Sequence, residues 1–99
     1  MKITVTNADD VQVVYELPEK CIKSLNFYVD DFKRSLSICA FRDYVIVARF
    51  YKQLRARVCA YLLALLDSGI IDYRCRLDVS FYYFSLLDNY FEVWRGNAN

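Results

Sequence analysis

The residues able to do chemistry in this 99-residue chain are few. Two carboxylate pairs, Asp9-Asp10 and Asp30-Asp31, could share a proton or hold a divalent cation. Spacing sets no third oxygen ligand beside either pair. The plainer reading is therefore a turn for the first and a solvated helix face for the second. Four cysteines stand at 21, 39, 59 and 75, without the tight pair that marks most zinc sites. They read as buried, reduced thiols, so neither a metal nor a cofactor is expected. There is no histidine, which removes the commonest general base near neutral pH and any Ser-His or Cys-His nucleophile pair. The only glycines, Gly69 and Gly96, do not form a glycine-rich strand-to-helix turn, so no P-loop or dinucleotide-binding loop is present. A non-enzymatic protein is expected.

The cations carry the sharper alternatives. Arg49, Lys52 and Arg55 fall on neighbouring turns of a helical pattern, Arg57 follows, and Arg74 and Arg76 stand further on. Such a set could hold phosphates while exposed aromatic rings stack on bases, which makes a small nucleic-acid-binding regulator the alternative reading. Against it, thirteen basic residues face twelve acidic ones, and a net charge of +1 steers no polyanion. Asp30, Asp31, Asp72 and Asp78 are available to pair with the cations. The same arginines also suit a protein contact, because Arg, Tyr and Trp dominate binding hot spots. Tyr51, Arg55, Tyr82, Tyr90 and Trp94 are the expected partner-binding residues.

That expectation rests on an apolar surplus. The chain is 57% hydrophobic, with nine Tyr and seven Phe, and a domain this small has little interior in which to hide them. Either an aromatic patch serves a protein partner or the chain pairs with itself, and a homodimer is expected. No membrane is expected, since the longest apolar run, Val58 to Leu66, is too short to span one. The start, MKITVTNADD, has no basic-then-apolar secretory signature, and no Asn-x-Ser/Thr sequon occurs, so a cytoplasmic location is expected. In size, lack of motifs and aromatic content the chain resembles small accessory proteins of phages and mobile elements, and a protein-binding module serving as an inhibitor or accessory protein of that type is expected. That likeness is one of general character and names no family.

The elements that must position these residues follow from periodicity. Lys2 to Thr6 alternates, Asn7-Ala8-Asp9-Asp10 supplies turn residues, and Val11 to Leu17 is β-branched and aromatic, which together predict a hairpin. Pro18 opens a helix whose stripe is Ile22, Leu25, Val29, Phe32, Leu36 and Cys39, ending near Ala40. Asp43 is placed to cap the next helix, Arg42 to Ser68, whose stripe is Tyr44, Val47, Tyr51, Leu54, Val58, Tyr61 and Leu65. Gly69 is placed as its left-handed stop. Beyond it Ile71, Tyr73, Cys75, Leu77, Val79, Phe81 and Tyr83 alternate with polar residues, which predicts a long strand. Asp88-Asn89 then reads as the turn of a C-terminal hairpin, with a third helix over Ser80 to Trp94 as the rival. The expected fold class is α+β, a two-layer ββααββ arrangement of an N-terminal β-hairpin, an antiparallel helical hairpin and a C-terminal β-hairpin. It forms one domain over residues 1–95, with a disordered tail at 96–99.

Overall fold

The computed structural model describes residues 1–38 and 44–98. Cys39, the expected helix end at Ala40 and the expected cap Asp43 lie outside them. Strands β1 (Lys2–Thr6) and β2 (Gln12–Glu16) form an antiparallel hairpin, with Ile3 opposite Tyr15 and Val5 opposite Val13. Asn7 closes the turn by accepting from the backbone N–H groups of Asp9 and Val11 at 2.9 and 3.0 Å. Asp10 takes the left-handed conformation at φ 63°. At the open end the Met1 ammonium donates to the Glu16 carboxylate at 2.8 Å.

Three helices follow: α1 (Glu19–Ile38), α2 (Tyr44–Asp67) and α3 (Tyr73–Ala98). The Pro18 carbonyl accepts the N–H of Cys21, so the proline sits where its missing donor costs nothing. At the end of α2, Gly69 adopts φ 76°. The Gly69 and Ile70 N–H groups donate back to the Leu66 and Leu65 carbonyls, both at 3.0 Å, which is the double-bonded Schellman ending.

The third helix corrects the expected fold. Among the described residues there is no C-terminal β-hairpin, and the expected ββααββ order is replaced by ββααα. The alternation misled because a period of two contains a period of four. Ile71, Cys75, Val79, Tyr83 and Leu87 lie on one buried line of a helix as readily as on one face of a strand. The helix buries neither Arg74 nor Asp78 without a partner. Arg74 is exposed, and half-buried Asp78 receives the Tyr15 hydroxyl from β2. The start of α3 is fixed by Asp72, whose Oδ1 accepts the Cys75 N–H at 2.8 Å, an N-cap bond worth ~1 kcal/mol. The helix includes the rival span, Ser80 to Trp94, and runs on through residues 96–98.

The molecule measures 42 × 26 × 19 Å. At 1.5 Å per residue, the 26 residues of α3 span almost the whole long axis. Contacts Tyr51–Asp88 and Arg55–Phe84 show that α2 and α3 run antiparallel. One continuous core joins the three helices to the hairpin. Leu25 and Phe32 come from α1, Leu54, Val58 and Leu62 from α2, Val79, Tyr83 and Leu87 from α3, and Val5 from β1. Each such fully buried side chain contributes roughly 1.5–3 kcal/mol against the unfolded chain.

Candidate functional site

The strongest concentration of polar groups on aromatic surface lies where the start of α2 meets the end of α3. Phe32 of α1 is its floor, with ring centroids 6.0 Å from both Phe50 and Tyr51 and 6.5 Å from Phe91. Phe91 extends the cluster to Tyr51 at 4.9 Å, Tyr44 at 5.7 Å and Trp94 at 6.2 Å. These tilted and edge-on geometries suit the ring quadrupoles and add ~0.5–1.5 kcal/mol per pair beyond burial.

On this floor three polar groups are linked. The Arg55 guanidinium lies 4.6 Å above the Phe84 ring and donates to the Tyr51 hydroxyl at 3.3 Å. The Tyr51 hydroxyl in turn donates to the Asp88 carboxylate. Burial, then the bond to Asp88, pushes the Tyr51 pKa up, with Arg55 acting in the opposite direction. The hydroxyl therefore stays protonated and holds both neighbours in register. Arg55 and Asp88 are both exposed, so the linked trio presents a positive and a negative group at fixed separation to the outside. Arg49 and Lys52 lie exposed on the preceding turns and make no ion pair among the described residues.

The expected contact residues are only partly brought together. Tyr51, Arg55 and Trp94 share the cluster through Phe91 and Phe84. Tyr90 is turned toward α1, where Lys33 Nζ sits 5.6 Å from its ring centroid. Tyr82 stands apart, edge-on to Tyr83 at 5.3 Å. Phe84, Asp88 and Phe91 were missed by sequence reasoning. Their spacing of four and three marks one helix face, a signal legible only once this segment is read as helical.

The six cations of the alternative reading are dispersed. Arg49, Lys52 and Arg55 sweep along one side of α2. Arg57 lies one turn before Tyr61, whose ring packs on Tyr28 of α1 at 6.3 Å, and so belongs to the opposite flank. Arg74 lines a cleft with Asp9, Tyr15 and Asp78, ten residues and ~15 Å of helix from Phe84. Arg76 is half-buried against the Tyr73 ring at 5.9 Å, and its Nε is buried with no acceptor among the described residues.

The chain matches no family model, no curated protein and no solved structure. Among the described residues no group of three or more His, Cys, Asp or Glu side chains is gathered for a metal ion. No described helix is long and apolar enough to cross a membrane. The carboxylate pairs do not converge either: Asp9 and Asp10 occupy the hairpin turn, while Asp31 pairs with Arg34 at 3.8 Å along α1.

Proposed function

We propose that the chain is a small non-enzymatic protein-binding module of the accessory or inhibitor type, acting by occluding a partner through the Tyr51–Arg55–Phe84 corner. The observation that carries this reading is the held guanidinium. Arg55 is exposed yet fixed by Phe84 below and Tyr51 beside it, so little side-chain freedom remains to be lost on binding. An exposed, pre-ordered Arg on an aromatic floor has the composition of an interface hot spot. With Arg49 and Lys52 alongside, the complementary surface is an acidic one that offers a carboxylate to Arg55 and an apolar side chain to the rings.

The dispersal of the six cations favours a protein over a nucleic acid. A phosphate backbone needs a continuous track of positive charge, and Arg57, Arg74 and Arg76 lie off the line of Arg49, Lys52 and Arg55. The test is affinity capture from a lysate of the source cells on immobilised full-length chain, with and without nuclease, beside the Arg55→Glu variant. The expected result is a protein retained after nuclease treatment and lost on the variant. Capture that disappears with nuclease, or that ignores Arg55→Glu, overturns the proposal.

A further inference from the structure

Helix α3 has a second apolar line besides its core face. Tyr73, Leu77 and Phe81 recur every fourth residue and are 64%, 43% and 41% exposed. The contacts Tyr51–Asp88 and Arg55–Phe84 set an antiparallel register in which buried Leu62 stands level with Leu77, and exposed Leu63 follows one residue on. Exposed Ile70 closes the same face at the turn between the helices. At typical side-chain areas these five residues together expose on the order of 500 Å², near the upper end of the apolar patches that monomers leave uncovered.

We propose that this face pairs with the same face of a second copy, α3 against α3 antiparallel, across a two-fold axis at Leu77. The charges on its flank select that occupant. Arg74 and Asp78 lie one turn apart on the same side of the stripe, and neither makes an ion pair among the described residues. In an antiparallel pair like flanks meet. The second copy's Asp78 then falls at the level of Arg76, about 3 Å along the axis from Arg74 and within reach of its guanidinium. The symmetry repeats the contact, giving two reciprocal Arg–Asp pairs from one surface, which is the mark of an isologous interface. The Tyr15 hydroxyl already steadies the Asp78 carboxylate, which keeps further lone pairs for Arg74 of the other copy.

Opposite the axis Leu77 meets itself and Tyr73 meets Phe81. The five apolar residues supply most of the ~800 Å² per subunit of a standard interface, and the charged flank completes it. With a net charge of only +1, two copies approach without long-range repulsion. The near edge of the face, Phe81, lies 7 residues, ~10 Å of helix, from Asp88. Across the axis Ile70 of the second copy comes level with Phe84, so the pairing borders the Tyr51–Arg55 corner. The two proposals are separated by their readouts, sedimentation for the pairing and capture with Arg55→Glu for the corner.

Sedimentation velocity on the full chain between ~1 and ~200 μM tests the pairing. The wild type is expected to sediment as a dimer, and Leu77→Glu to weaken association at least tenfold. Arg74→Asp leaves only acidic groups on the flank and Asp78→Arg only basic ones. Each alone is expected to dissociate, and an equimolar mixture of the two to pair again as a heterodimer. Circular dichroism verifies folding. Should Asp78→Arg unfold because Tyr15 loses its acceptor, Leu77→Glu, Arg74→Asp and disulfide capture through Leu77→Cys at the axis decide the matter. A wild type that is monomeric throughout, a dimer indifferent to Leu77→Glu, or a Leu77→Cys chain that forms no disulfide to itself on oxidation overturns the proposal.

Discussion

Leu77 and Leu87 have the same side chain on the same helix, and the structure gives them opposite fates. Leu87 is fully buried against the cores of α1 and α2, whereas Leu77 is 43% exposed. Truncating Leu87 to Ala removes buried methyl groups and leaves a cavity that the surrounding helices fill only in part. The expected loss is ~2.7–5 kcal/mol. Truncating Leu77 leaves no enclosed cavity and forfeits only part of the transfer energy, ~1 kcal/mol or less in the monomer. For a domain of this size each kcal/mol moves Tm by roughly 4–8 °C. Leu87→Ala should therefore lower it by at least ~11 °C, and Leu77→Ala by less than ~8 °C. Urea and thermal unfolding followed by circular dichroism, at ~1 μM to keep association out of the comparison, measures both. The alternating-strand reading places Leu77 on the buried face. Equal losses for the two variants, or a larger one for Leu77→Ala, would refute the helical assignment and the stripe built on it.

Tyr15→Phe leaves the Asp78 carboxylate without its donor and should cost ~1–2 kcal/mol at neutral pH. The same hydroxyl is pushed up to about 12, first by burial and then by the bond to Asp78. Between its ordinary value of 10.0 and about 12 the unfolded chain has lost a proton that the folded chain keeps. Stability should thus fall as pH rises through that window, and fall less steeply in Tyr15→Phe, as denaturant melts at stepped pH will read. Tyr83→Phe removes a hydroxyl that donates to Asn26 Oδ1 at 2.7 Å, but Asn26 is exposed and water can replace it, so ~1 kcal/mol with unchanged helix content is expected by circular dichroism. Burial, followed by the Asp72 and Asp78 charges, pushes the Cys75 thiol up to about 11. At pH 8 iodoacetamide should label half-buried Cys59 ahead of Cys75 and Cys21, which it reaches only when denaturant opens the fold, as peptide mass mapping will show.

The first two-thirds of the fold was legible because each element carried its own start and stop. Asn7 and Asp10 mark the hairpin turn, Pro18 the opening of α1, and Gly69 the end of α2. Each acts within a few residues, so no tertiary information was needed. The last third failed where two periodicities coincide. The apolar spacing alone does not separate a strand from a helix when apolar residues fall at 71, 75, 79, 83 and 87 and the residues between them alternate. The one local sign was Asp72, three residues before a helical N–H that it caps, and it was read as part of a polar strand face. The decisive fact was long-range: Tyr15, 63 residues away, supplies the donor that lets Asp78 sit half-buried in a helix.

The candidate corner shows the same limit. Tyr51, Arg55 and Trp94 were legible as aromatic and arginine residues of hot-spot type. Their partners Phe84, Asp88 and Phe91 were not, because the expected hairpin turn at Asp88-Asn89 separated residues that one face of α3 brings together.

The most direct test of the account compares two arginines two residues apart. Arg55 is held in the corner by Phe84 and Tyr51, while Arg57 projects from the opposite flank of the same helix. Binding of the captured protein is measured with Arg55→Glu and Arg57→Glu, each verified as folded. The account predicts at least a tenfold loss of affinity for Arg55→Glu and less than a twofold change for Arg57→Glu. Equal losses, or a greater loss for Arg57→Glu, would contradict it.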